Sequence, residues 1–310
     1  MYFRVIFCLA IVRNWYAFWF KFFQKNKIET FFVSQNGKNQ WWHTPDVDDV
    51  AQIVMRRKDQ SGKKLILYGS SMGGYASCHL RTLFGADIAV AIAPQIFVDR
   101  KLFPCDSRWE RDISNIQNRL RHDETANINA QLGELIVFYD PLHPQDNAHV
   151  QHLLNVSQRV PPTLVEVPYS NHDVARLLSQ TKILQGVLLS INKDGCFDRS
   201  VIPVCAESYL RDHKCFFNFF RNHSFSEDQE RIDLTNKLHG FLSLSVDMDF
   251  EALYMAAECL SKIKLHASAV EMIDRSIALY RGRYLKEPPS YLFLKRDKIR
   301  GNSGSTKAAL

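Results

Sequence analysis

The sequence predicts an α/β fold: a mostly parallel sheet of about six strands flanked by helices, followed by an all-helical appendage. Three observations predict it. Over the first 195 residues, short apolar runs rich in β-branched and aromatic side chains alternate with longer amphipathic stretches. That alternation requires crossover connections, and hence parallel strands covered on both faces. From residue 196 onward no strong strand pattern follows, and the apolar spacing is helical. Finally, a chain of 310 residues, 46% hydrophobic and 23% charged, can bury one large core and a smaller second one. The expected organisation is a sheet-bearing domain over 1–195, a helical region over 196–300 and a disordered tail over 301–310.

The strands are expected in RVIFCLA (4–10), ETFFVS (29–34), KKLILYG (63–69), DIAVAIA (87–93), ELIVFYD (134–140) and TLVEVPY (163–169), each bounded by polar or turn residues. Helical spacing fills the intervals at about 14–26, 46–58, 72–84, 107–122, 146–158 and 172–191. The aromatic N-terminus is interrupted by Arg4, Arg13, Asn14 and Lys21, so no uncharged run reaches the roughly 18 residues of a spanning helix. A buried strand followed by an amphipathic helix is expected there. No small-residue cleavage site follows it either. In the C-terminal region, residues 249–283 read as two amphipathic helices with a short polar join. This hairpin resembles a single tetratricopeptide unit, with Ala257, Leu260, Ala269 and Ile273 at its small and large positions, although Ser276 stands where alanine is usual and no second copy follows.

Chemistry points to one place. Gly69-Ser70-Ser71-Met72-Gly73 fits G-x-S-x-G, in which a serine sits on a tight strand-to-helix turn and flanking glycines let the strand and helix approach. The preceding KKLILY is the strongest central strand in the chain, and GGYASCHLRTLFG after it is helical with small residues at its start. An acidic residue, Asp140, closes a later strand in VFYDP, and His172 follows the last strand in PYSNHD. The plainer readings are a helix N-cap for Ser71 and an exposed loop histidine for His172.

The chain order Ser71, acid, His172 places the serine after the third strand, the acid after the fifth and the histidine after the sixth. Residues 1 to about 195 therefore resemble an α/β-hydrolase. YGSSMGGYAS, AIAPQ, FYDPLHPQD and PYSNHD resemble stretches of bacterial hydrolase-like proteins that carry helical extensions. The resemblance implies a Ser-His-Asp triad, with Ser71 as nucleophile, His172 as general base and acid, and Asp140 as the orienting carboxylate. Asp146, just beyond, takes that place instead if the loop folds back; its plainer reading is an N-cap. Asp173 lies too close in sequence to His172. The oxyanion hole would draw on the N–H of Met72 and one near Ala10 or Ile11, though no H-G-G motif follows the first strand and AIVRNWY holds no glycine.

The substrate side is read from two segments. Between the fourth and fifth strands, residues 95–133 carry Arg100, Lys101, Arg108, Arg111, Arg119 and Arg121 among few large apolar residues, which suits a polar or anionic substrate better than a lipid. A charged, solvated segment is the plainer reading. Trp41 and Trp42, on the loop after the second strand, are candidates for stacking on a sugar ring or acyl group, unless they cover the core.

Other chemistries find no motif: no phosphate loop, dinucleotide fingerprint, H-E-x-x-H or cysteine cluster is present, so neither cofactor nor metal is expected. A net charge of +6 from 39 basic and 33 acidic residues, spread along the chain, does not suggest nucleic acid as a partner, and no membrane association is expected. Seven scattered cysteines, none spaced as C-x-x-C, favour a reducing cytoplasm. The expectation is a cytoplasmic serine hydrolase acting on the ester or thioester of a polar, carbohydrate-linked substrate. The competing expectation is a catalytically weak hydrolase-fold protein whose helical region binds a protein partner.

Overall fold

A computed structural model of the chain describes residues 5–9, 13–33, 41–116, 125–157, 161–243 and 248–305. They belong to two compact units, Met1–Ser208 and Tyr209–Leu310. In the first unit the elements run β1 (Val5–Leu9), α1 (Arg13–Lys25), β2 (Glu29–Phe32), α2 (Asp46–Ser61), β3 (Leu65–Ser70), α3 (Met72–His79) and β4 (Ile88–Ile92). There follow α4 (Glu110–Ile113), α5 (Thr125–Ala130), β5 (Glu134–Tyr139), α6 (Pro144–Val156) and β6 (Thr163–Glu166), then α7 (Val174–Gln180), α8 (Ile183–Asp194) and α9 (Val201–Ala206). The strands pair parallel throughout, in the order β2-β1-β3-β4-β5-β6.

The apolar runs of the central strands explain this sheet. Alternate residues point to opposite faces. Leu65, Leu67, Ala89, Ala91, Leu135 and Val137 join one core with Val47, Ala51 and Val54 of α2, Tyr75 and Ala76 of α3, and Val150 and Leu153 of α6. Residues of the other parity meet different partners: Tyr68 packs edge-on against Trp19 of α1 at 5.6 Å, and Phe138 against Phe197 at 6.1 Å. Both parities are buried, so the strands read as continuous apolar sequence. Residues 196–208, which the sequence pattern groups with the helical region, fall in the first unit.

Connections leave β1 toward β2 on one side and continue from β3 toward β6 on the other, so the order reverses between β1 and β3. Such a reversal opens a crevice outside the carboxyl ends of the strands. The chain leaves β3 there through a turn of unusual tightness. A Cβ on Gly69 would collide with the Gly73 carbonyl, and one on Gly74 would lie 3.0 Å from the Cα of Pro94, beyond β4.

Three expected segments differ. The helix expected over 107–122 is only α4, with 117–124 outside the described residues. The helix expected over 172–191 breaks at Lys182, whose φ of 62° ends one helix and begins the next. The tail expected to be disordered instead continues a helix to Ser305, with 306–310 outside the described residues.

The second unit is helical: α10 (His213–Asn222), α11 (Asp228–Ser243), α12 (Phe250–Lys262), α13 (His266–Tyr284) and α14 (Ser290–Ser305). Helices α12 and α13 pack through the buried Ala257, Leu260, Ala269 and Ile273. Ser276 is buried without penalty because its hydroxyl donates to the Phe250 carbonyl at 2.6 Å. Glu258 accepts ion pairs from Arg221 of α10 and Lys295 of α14, both at 2.7 Å. Among the described residues, no helix is long and apolar enough to cross a membrane.

The collision at Gly69 gives a direct test of the turn. Gly69→Ala should lower the unfolding free energy by roughly 1–3 kcal/mol or more, as forced overpacking does, seen as a lower urea midpoint at unchanged slope. Gly186→Ala within α8, where an added Cβ meets nothing within 4 Å, is the control and should not destabilise.

Candidate active site

Ser71 stands between β3 and α3 with φ 55° and ψ −118°. A residue with a Cβ holds such torsions only where its surroundings impose them. Here the Ser71 N–H donates to the Ile92 carbonyl of β4 at 2.8 Å, and the Tyr75 N–H donates to the Ser71 carbonyl at 3.0 Å. Ser71 occupies the N-cap position, yet its side chain makes no capping bond. Its Oγ instead lies 3.0 Å from Nε2 of His172.

His172 sits in a single 3-10 turn, Asn171–Asp173, beyond β6. The approach to that turn is bent twice, with left-handed φ values of 65° at Tyr169 and 53° at Asn171. Ser170 supports the bend by donating its hydroxyl to the Val167 carbonyl at 2.6 Å. The other face of the imidazole, Nδ1, lies 2.7 Å from Oδ2 of Asp146.

The acid beside His172 is therefore Asp146, and the expectation that favoured Asp140 is corrected. The physical reason is the path of the chain after β5. The turn at 140–143 folds back, so that α6 begins at Pro144 and presents Asp146 from its first turn toward the histidine. Asp140 faces the turn itself. Its carboxylate accepts the Leu142 N–H at 2.9 Å and the Asn171 N–H at 2.6 Å, and it tethers the segment that leads into His172.

The two carboxyls differ electrostatically, though both are fully buried. For Asp140, burial outweighs the backbone N–H groups and pushes its pKa up to about 6. For Asp146, burial acts in the same sense but is overcome by hydrogen bonds from His143 and His172, and its pKa falls below the ordinary carboxylate range. Arg108 adds a cation, with Nη2 donating to Asp146 Oδ1 at 2.9 Å. The same guanidinium grips Asp106 at 2.9 and 2.7 Å, and Asp106 meets Nε2 of the buried His149 at 3.1 Å.

Several expected substrate contacts are absent. Trp41 and Trp42 are buried, not presented for stacking, because both adopt left-handed backbone that turns them into the core. Trp41 lies edge-on against Tyr75 and Trp109, and Trp42 donates its indole N–H to the Met72 carbonyl at 3.0 Å. Of the basic residues in 95–133, Arg108 pairs with Asp106 and Asp146, and Arg100 pairs with Glu110 at 2.6 Å. Lys101 and Arg111 are exposed, and Arg119 and Arg121 lie outside the described residues. The backbone N–H of Met72, first in α3, stands ahead of the helix's own hydrogen-bond ladder. Ala10 and Ile11, the other expected oxyanion donors, lie outside the described residues. Among the described residues, no group of three or more His, Cys, Asp and Glu side chains is placed to hold a metal ion.

No protein-family model matches the chain, and no curated protein matches it. Among solved structures, the chain is similar to a thermophilic esterase from the Planctomycetes species Thermogutta terrifontis, solved with propionate bound. That match has 15% identity and a TM-score of 0.45, and covers 63% of this chain and 85% of that one. A lipase/esterase from Lactobacillus plantarum matches at 12% identity and a TM-score of 0.36, over 59% of this chain and 88% of that one.

Sequence reasoning missed two groups at this site. Arg108 is read only as part of a basic segment, facing an anionic substrate or solvent, and no spacing rule ties it to an aspartate 38 residues later. Gln95, the last residue of AIAPQ, has no assigned role in the sequence reading, yet its side chain touches both Ser71 and His172. Its position directly after β4, at the carboxyl edge of the sheet, was the available signal.

The lowered pKa of Asp146 fixes a pH dependence. A carboxylate held below its unfolded value of about 3.9 contributes stability that is complete above that pH and is lost as pH falls toward the native value. The unfolding free energy of wild type relative to Asp146→Asn should therefore be largest near neutrality and narrow as pH drops below about 4, measured by urea titrations across pH 2–7.

Proposed function

We propose that the chain hydrolyses a carboxylic ester or thioester through Ser71, His172 and Asp146. The reading rests on one observation: Ser71 Oγ lies 3.0 Å from His172 Nε2, and His172 Nδ1 lies 2.7 Å from Asp146 Oδ2. The site's position at the carboxyl edge of a parallel sheet, on a serine with strained backbone, supports the same reading.

In the proposed reaction Ser71 Oγ attacks the acyl carbon as its proton passes to His172 Nε2. The bond to the alcohol or thiol breaks, and His172 returns the proton to that leaving group. Water then attacks the acyl-serine as His172 takes a proton from it, the bond from the acyl carbon to Oγ breaks, and His172 returns the proton to Ser71 as the acid departs. Asp146 keeps the Nδ1 proton in place throughout and balances the imidazolium that forms. The Met72 N–H receives the carbonyl oxygen as it gains charge. The carbohydrate link loses its support with the burial of Trp41 and Trp42.

Labelling of the purified protein with an alkyl fluorophosphonate tests this. Wild type should become covalently labelled and Ser71→Ala should not. His172→Ala and Asp146→Ala should each slow labelling by roughly 1000-fold or more, while Asp140→Asn stays within about tenfold of wild type. A folded wild type that resists labelling would mean that the turn at Ser71 is architectural, and that the helical unit's binding partners are where function lies.

A further inference from the structure

Gln95 is completely buried, and its amide meets both groups that the reaction needs. Oε1 lies 3.1 Å from Ser71 Oγ, and Nε2 lies 3.0 Å from His172 Nε2. Hydrogen counting decides what these contacts are. With its Nδ1 proton given to Asp146, a neutral His172 has one lone pair on Nε2, and Ser71 has one proton.

If Ser71 donates to His172, the Gln95 oxygen faces the serine oxygen with no proton between them, and the amide N–H competes for a lone pair already used. If the amide is turned over, its N–H donates to Ser71, but its oxygen then opposes the unprotonated Nε2. For a neutral His172, one arrangement gives each of these contacts a proton. Ser71 donates to Gln95 Oε1, Gln95 donates to His172 Nε2, and the ring closes with the serine proton on an amide oxygen that does not act as a base.

Proton transfer from Ser71 to His172 thus requires Gln95 to release both. Its backbone is held at both preceding residues: Ala93, with a φ of 42°, donates its N–H to the Phe138 carbonyl, and Pro94 abuts Gly74. Release is therefore a side-chain rotation, and it strips a buried amide of both partners unless the substrate replaces them. A polar group left unpaired in this way imposes a large discrimination against any substrate that lacks the matching group.

Resting on the nucleophile assigned above, we infer that Gln95 is a specificity-determining residue. It selects acyl groups that carry a hydrogen-bonding substituent, such as a hydroxyl, on the carbon next to the scissile carbonyl. The position follows from reach: an amide oxygen 3.1 Å from the attacking oxygen lies close to the carbon under attack, and on the acyl side the nearest substituent is on the adjacent carbon.

The test compares phenyl glycolate with phenyl acetate, and an alkyl fluorophosphonate, on wild type, Gln95→Met and Gln95→Leu, with thermal unfolding to confirm the fold. Wild type should favour the glycolate by about tenfold or more in kcat/KM, and the variants should reduce that preference toward one. In the variants the maximal labelling rate by the alkyl probe should rise about tenfold with little change in its half-saturating concentration, a gain that a merely structural side chain would not give. Equal kcat/KM for the two esters in wild type would overturn the inference without any variant. So would folded variants that keep the wild-type preference, or whose labelling is no faster. Failure of every protein to label or to hydrolyse either ester would instead overturn the nucleophile, and this inference with it.

Discussion

The close approach of α3 to the ends of β3 and β4 is the constraint on which the rest of this edge depends. Ser71 gives its N–H across to Ile92, and the backbone between β3 and α3 must then pass through a left-handed residue that is not glycine. The strain costs on the order of 1–3 kcal/mol and persists because the helix behind it is locked. Tyr75, Ala76 and Cys78 are wholly buried, and Gly69 and Gly74 remove the Cβ atoms that would hold helix and strands apart. Were the helix to retreat, Ser71 could act as an ordinary N-cap, with Oγ turned to its own N–H groups. The same packing thus shapes the fold and sets the serine oxygen beside His172.

Two aspartates six positions apart meet opposite electrostatic fates at this edge. Burial penalises both charges, but only Asp146 receives a cation and two histidine nitrogens in return, whereas Asp140 receives backbone N–H groups. A carboxylate that stays ionised can balance an imidazolium, and one whose pKa is raised does so poorly. Arg108 is in turn shared with Asp106, so the cluster holds one cation between two carboxylates. Such a buried network adds little net stability by itself, but removing one member strands the others. It gives the buried Asp146 carboxylate a charge partner.

The sheet was legible in the sequence because burial on both faces leaves an unmistakable signature, as in LILY, IAVAI and LIVFY. Ser71 and His172 were legible because their positions are tied to strand ends. The acid was not, since Asp140 also closes a strand, and the choice between two aspartates depends on a turn whose fold-back no local pattern encodes. Trp41 and Trp42 follow a strand as a binding loop would, but their left-handed backbone turns them inward. A terminal run with two glycines reads as disorder by propensity, yet α14 carries it to Ser305, beyond an anchor formed by Leu292, Ile299 and Lys295. Gln95 was invisible for a deeper reason: an amide gains chemical meaning only from the two atoms it touches.

The arrangements on the two sides of His172 are complementary. On the Nδ1 side the partner is an ion, held by an arginine and buried, which favours the tautomer protonated at Nδ1. On the Nε2 side the partners are a hydroxyl and a neutral amide, whose hydrogen bonds are roughly half as strong as charge-assisted ones and can be exchanged. Protons in acyl transfer pass only through Nε2. A strong bond there would hold the base shut, and a weak bond at Nδ1 would let the ring turn away. In the proposed reaction, this asymmetry of charge across one imidazole holds the ring on one side and leaves the other side free to exchange a proton.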